Sequence, residues 1–301
     1  MSGQFRWNLA ADLRDMWAAA FMVNAFRAGL IVAVLAAAVG WFMVLRRQSF
    51  AGHTLAVAGF PGAAGAVWLG VGLSYGYYAF CLATAFGIAT LRRPGAGGHS
   101  AQSAVIGTLQ AFALASGMLF VSLYNGFLGG TDALLFGSFL GITAGQVSIL
   151  ALTAGGALTV LALLGRPLLF ASLDPDVAAA RGVPTRVLDA GYLLLLAVTV
   201  ADVSQITGSL LVFALLVLPP ATAARLTARP AYGLALSVVL AAVTVVVALF
   251  IAYYTPYPVG FWLTSLAFAL YVTASTAAAA RARLGRRTVA GRPALALPAG
   301  V

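Results

Sequence analysis

An all-α, polytopic membrane bundle with eight to nine membrane-crossing helices is the fold this sequence predicts, and three observations carry it. Of 301 residues, 62% are hydrophobic and only 8% are charged, whereas a soluble domain carries about 25% charged residues. The mean hydropathy is +1.00. Apolar runs close to the roughly 20 residues that span a bilayer recur along the chain, and arginines cluster at their ends. That placement turns the formal charge of +10 into an orientation signal, the excess of basic residues on the cytoplasmic side. A nucleic-acid footprint would instead need the charge along one face.

The segment 1–27 reads as an extracytoplasmic or interfacial stretch with charges at Arg6, Asp12, Arg14 and Asp15 and no cleavable signal pattern. Asn24 and Arg27 mark the outer end of the first span, Ala28–Leu45, which stops at Arg46-Arg47. Thr54–Leu73 and Ser74–Leu91 follow as a coupled pair, with Pro61 in a Phe-Pro-Gly step where the helix is expected to kink or end. A glycine-rich loop, 94–103, holds His99. Ala104–Tyr124, the less apolar Asn125–Gln146, and Val147–Gly165 complete the first half. Arg166 to Arg186 is a charged loop with one short helix, which Asp174 caps, Pro175 opens and Gly182 ends. Leu188–Ser204, Thr207–Leu226, Tyr232–Tyr254 and Phe261–Ala280 return to the membrane, and 281–301 reads as a basic, disordered cytoplasmic tail. Pro219-Pro220 marks a second expected break. With Arg46-Arg47 inside, every arginine cluster falls on the cytoplasmic side when the N-terminus lies outside.

Absences narrow the chemistry. The sequence contains no lysine and no glutamate, and its seven acids are all Asp. A P-loop ATPase needs a lysine on the nucleotide phosphates, and an HExxH protease needs glutamate as base, so neither activity resides here and no cofactor is expected. Cys81 is alone in an apolar run, which rules out an internal disulfide. His53, at the start of the second apolar run, is a candidate pathway or metal-contacting residue, although one imidazole does not make a metal site. Asp202, within TVADVSQITGSLL, is an ionisable residue near a membrane segment and therefore a pathway candidate. Asp132 in GGTDALLFG is a third candidate, with an N-cap as its simpler role. Tyr75, Tyr77, Tyr78 and Phe80 read as an interfacial aromatic belt.

Four motifs occur in one order: VLRRQSFAGHTLAVAGFPGAAGA (44–66), LLFGSFLGIT (134–143), LDPDVAAARGVPTRVLD (173–189) and GSLLVFALLVLPPATAARL (208–226). Together they resemble the permease subunits of the zinc/manganese ABC uptake transporters, over about residues 25 to 280. The resemblance implies a type II importer-like fold in the bacterial plasma membrane. It also implies a second permease chain, identical or paralogous, a cytoplasmic ABC ATPase and an extracytoplasmic substrate-binding protein. On this reading Asp174, Asp176, Ala179, Arg181, Gly182 and Val183 form the helix that couples to the ATPase, within a cytoplasmic segment 166–187. Pro61, Pro219 and Pro220 are its helix-break or gating candidates. Many relatives begin the second helix Gly-Asp-x-Leu-x-His, whereas His53 and Val57 occupy those two polar positions here. One ligand type is exchanged and the other is lost. The competing reading is an ion-coupled secondary transporter, which would place charges near the bilayer midplane.

Overall fold

The computed structural model describes residues 16–91, 98–124, 137, 139–209 and 211–290, with backbone alone at 98–102, 140 and 282–290. Ten α-helices and one 3₁₀ turn, with no strand, make up these described residues. In chain order they are α1 (Ala20–Leu45), α2 (Ser49–Leu69), α3 (Leu73–Leu91), α4 (Gly98–Leu123) and the 3₁₀ turn Phe139–Gly141. Then come α5 (Ala144–Leu173), α6 (Pro175–Ala180), α7 (Thr185–Thr207), α8 (Val212–Leu226), α9 (Pro230–Tyr254) and α10 (Val259–Ala290). Six helices are long and apolar enough to cross a membrane: α1, α4, α5, α7, α9 and α10.

Burial arranges them around α1, α2 and α7. One group packs α2 against α3 and α4, with α3 lying on α7. A second group packs α8, α9 and α10 together, with α8 and α9 lying on α1. The outer faces of α4, α5, α9 and α10 expose Phe112, Leu152, Leu163, Val243 and Phe268. Water would penalise such a surface, whereas hydrocarbon does not. Inside a membrane, helix association depends on close packing more than on hydrophobicity, and small residues permit it. Gly62 of α2 and Gly76 of α3 meet backbone to backbone: a Cβ built on Gly62 would lie 2.3 Å from the Gly76 carbonyl oxygen. Gly40 brings α1 equally close to the Leu216 carbonyl of α8.

Several boundaries differ from the expected ones. Asn24 and Arg27 lie within α1, because Met22, Ala25 and Phe26 are buried and the Asn24 amide donates to the Ile142 carbonyl at 3.3 Å. α2 runs through Pro61 and α8 through Pro219 and Pro220. In each case the proline itself is buried, so packing outweighs the missing donor. α5 likewise continues past Arg166 and Pro167 to Leu173, burying Leu168 and Ala171. The first part of the charged segment, 166–173, is therefore an extension of α5. The break on the C-terminal side falls instead just after Thr207, between α7 and α8, where Gly208 has φ 78°. Helix α4 begins at Gly98, inside the expected glycine-rich loop, and α10 extends to Ala290, inside the expected disordered tail.

Candidate functional site

The turn between α1 and α2 shows how the arginine pair is used. Arg47 adopts φ 55°, the left-handed conformation that ends a helix, and Gln48 N–H donates to the Met43 carbonyl at 2.9 Å. The chain reverses at once, and Arg46 is turned inward. Its guanidinium pairs with Asp189 near the start of α7, donates to Ser172 Oγ on α5 at 3.2 Å and lies 5.5 Å from the centre of the Tyr192 ring. Tyr192, fully buried, in turn donates its hydroxyl to the Val39 carbonyl at 2.9 Å. Arg46 thus cross-links three helices, and its side chain is only 8% exposed. A cavity of about 510 Å³ adjoins it, lined in part by Arg47, Gln48, Ser103, Ser172, Pro175 and Asp189.

Beside this cavity stands α6. The Asp174 carboxylate accepts from Val177 N–H at 3.0 Å, Pro175 occupies the first turn, and Gly182 takes φ 79°, the delimiters read from the sequence. Asp174, Asp176, Ala179, Arg181 and Gly182 are exposed, and Val183 is half-buried. Only Ala178 is buried. Val177 and the flanking Leu173 and Val187 present apolar side chains to the outside. This short capped helix of six residues is set between two long helices, with Asp174 between it and α5 and residues 181–184 between it and α7.

His53 lies in the second turn of α2, edge-on to Phe213 of α8 at 4.9 Å between ring centres. Its Nδ1 is buried without a hydrogen-bond partner. Helix α8 has 15 residues and spans only about 22 Å at 1.5 Å per residue, less than the roughly 30 Å hydrocarbon layer. Its contacts with Gly40 of α1 and His53 of α2 place its first turns beside the interior of the bundle. Between α7 and α8, Gly208 and Ser209 are non-helical and buried.

Asp202 lies farther along α7 and is the one buried acid among the described residues, 1% exposed. One carboxylate oxygen accepts from Tyr78 of α3 and from Thr153 of α5 at 2.9 Å. The other has no hydrogen-bond partner. One turn on, Gln205 accepts from Ser74 at 2.6 Å, and its amide donates to the Ala201 carbonyl. A cavity of about 210 Å³ is lined by Ser74, Tyr77, Gln146, Asp202, Gln205 and neighbouring apolar residues.

The structure does not bring His53 and Asp202 together. Among the described residues no group of three His, Cys, Asp or Glu side chains converges. Asp132 lies outside the described residues, and the side chain of His99 is also undescribed. Sequence reasoning missed the partners of Asp202. Tyr78, assigned to an interfacial belt, turns onto Asp202, and Tyr77 is buried while only Tyr75 is fully outward. Successive tyrosines on a helix point about 100° apart, which was the available signal. The Arg46–Asp189 pair has no local signal in the sequence, since its members lie 143 positions apart.

Six helices apolar enough to cross a membrane, packed around buried polar groups, define a multi-pass membrane protein. The chain belongs to the ABC 3 transport family, whose model matches residues 18–278; it is a permease of the bacterial plasma membrane. It is 32% identical over 260 residues to the manganese import system permease protein ScaB of Streptococcus parasanguinis, covering 83% of this chain and 89% of that one. It is 26% identical over 235 residues to the manganese transport system membrane protein MntC of Listeria monocytogenes, covering 77% and 82%. It is 28% identical to the chelated iron transport system membrane protein YfeD of Yersinia pestis over 69% of this chain and 68% of that one. Among solved structures, PsaBC from Streptococcus pneumoniae in complex with Fab superposes with a TM-score of 0.77 at 25% identity, covering 88% of this chain and 95% of that chain. An inward-facing conformation of a putative metal-chelate type ABC transporter gives 0.69 at 18% identity, over 84% and 85%, a likeness of fold alone.

Proposed function

We propose that this chain is the membrane-spanning half of an importer that moves a divalent metal ion, manganese, zinc or a related substrate. An extracytoplasmic binding protein delivers the ion and a separate cytoplasmic ATPase powers the cycle. Nine helices cross the membrane on this reading, α1 to α5 and α7 to α10, with the N-terminus outside and a second permease chain completing the pathway. The metal is supported by the names of the relatives above. The observation that carries the mechanism is α6, capped at both ends, largely exposed, and set between α5 and α7 by short connections. Closure of the ATPase around ATP displaces α6 within segment 166–187. The Arg46–Asp189 pair passes that displacement to α1 and α2, because it joins their turn to the base of α7. His53 at the α2–α8 contact and Asp202 farther along α7 mark successive points of the path.

The test is co-purification with the ATPase and the binding protein, reconstitution into liposomes, and ATP-driven uptake of radioactive manganese. Charge reversal at Asp176 or Arg181 is expected to lower uptake at least about tenfold, a coupling loss of about 1.4 kcal/mol. An ATPase that fails to bind, together with uptake indifferent to both reversals, rejects the importer in favour of a gradient-driven transporter.

A further inference from the structure

We infer that Asp202 is the anchor of an all-oxygen cation site in the outer part of the permease, built to hold a hard, partly hydrated divalent cation on its way through. The inference rests on the importer reading and adds a ligand set and a class of cation to it.

Three observations carry it. Asp202 is 1% exposed, and a carboxylate in such a place needs a charge partner or a full set of hydrogen bonds. Yet among the described residues no basic side chain pairs with it, and one of its two oxygens has no partner. Second, the oxygen that is satisfied is held by Tyr78 and Thr153 from two other helices, so the carboxylate is fixed while its other lone pairs stay available. Third, the same residue lines a cavity of about 210 Å³, far more than the roughly 30 Å³ share of one water molecule. The other polar side chains there carry oxygens or amides: Ser74, Tyr77, Gln146 and Gln205.

Carboxylate, amide, hydroxyl and water oxygens suit magnesium, calcium and manganese, whereas thiolate and imidazole suit copper and zinc. The nearest alternatives to oxygen are absent from this set: Cys81 is buried with its thiol on the Leu55 carbonyl, and His53 contacts Phe213 instead. A single carboxylate neutralises half of a divalent charge, so the ion keeps several waters and is held weakly. Weak holding is what a conducting site requires, since a site that binds tightly does not release. Asp202 and Gln205 stand one turn apart on α7, and the opposing Ser74 and Tyr78 stand one turn apart on α3. The ion can therefore pass between two rungs of oxygens without losing coordination.

The test uses the full chain in phosphatidylcholine nanodiscs, titrated with manganese and followed by electron paramagnetic resonance, with empty nanodiscs as blank. Wild type is expected to bind one manganese with an all-oxygen shell, showing no nitrogen modulation of the spin echo. Asp202→Asn keeps the shape and is expected to weaken binding at least about tenfold. Gln205→Leu, which leaves the Asp202–Tyr78–Thr153 contacts intact, is expected to weaken it less, and His53→Ala not at all. Absent binding by wild type at millimolar manganese, unchanged affinity in both Asp202→Asn and Gln205→Leu, or a nitrogen signal that His53→Ala abolishes each overturns the site. ATP-driven manganese uptake alongside any of those results leaves the importer standing without this site. Manganese bound at Asp202 in a complex that imports nothing leaves the site and removes the importer.

Discussion

The reciprocal glycine contact between α2 and α3 gives a stability prediction whose sign can be worked from geometry. A Cβ on Gly62 would stand 2.3 Å from the Gly76 carbonyl oxygen, and one on Gly76 would stand 2.0 Å from the Gly62 oxygen and 2.8 Å from the Ala66 methyl. Ordinary contact begins at 3.4 Å, so either alanine forces the helices apart by about 1 Å. The obstructing atoms are backbone and cannot rotate away. Overpacking of this kind costs about 1–3 kcal/mol, against a gain of at most about 1 kcal/mol from the better helix propensity of alanine. Gly62→Ala is therefore expected to destabilise by about 0–2 kcal/mol once that gain is subtracted in full. Gly155 of α5 meets nothing within 4 Å, so Gly155→Ala should be neutral or stabilising. The two variants share a chemistry and differ in sign. The double variant Gly62→Ala/Gly76→Ala should cost less than the sum of its parts, because the first substitution already separates the helices. Unfolding in mixed micelles by added dodecyl sulfate, followed by circular dichroism, measures all four. A Gly62→Ala protein as stable as Gly155→Ala would refute the reasoning and with it the close approach of α2 and α3.

Two further outcomes follow from the inner half of the bundle. Arg46→Gln removes the cation from Asp189, which is 41% exposed and so retains water; the expected loss is about 1–3 kcal/mol, below the 3–5 typical of a fully buried pair, and Asp189→Asn should cost as much or more because it strands the buried arginine. Both should uncouple ATP hydrolysis from uptake in the reconstituted complex, and full coupling in both would remove the pair from the transmission route. His53→Ala is expected to lower uptake with assembly intact, and His53→Phe, which preserves a ring against Phe213, should not restore it. Restoration by phenylalanine would assign His53 to packing.

Membrane character, the order of the helices and the α6 delimiters were legible because each depends on local chemistry. Hydropathy sums along a run, and Asp174, Pro175 and Gly182 act on their own neighbours. Helix ends at prolines were legible only in part. Pro61, Pro167, Pro219 and Pro220 all sit inside helices, since tertiary burial outweighs one missing hydrogen bond and sequence does not report burial.

By itself, then, the chain determined a bundle of apolar helices with its arginines at the ends, without the lysine of a P-loop or the glutamate of an HExxH motif, and with α6 between two long helices. The tertiary structure alone decided where the polar groups inside that bundle meet. Asp202, Tyr78 and Thr153 come from three helices, and Arg46 meets Asp189 across 143 positions of sequence. Gly208 and Ser209, between α7 and α8, are buried as well. Hydropathy acts through solvent and needs no partner, whereas a hydrogen bond or ion pair needs two groups within about 3 Å. That distance is set by helix packing, and no run of residues records it.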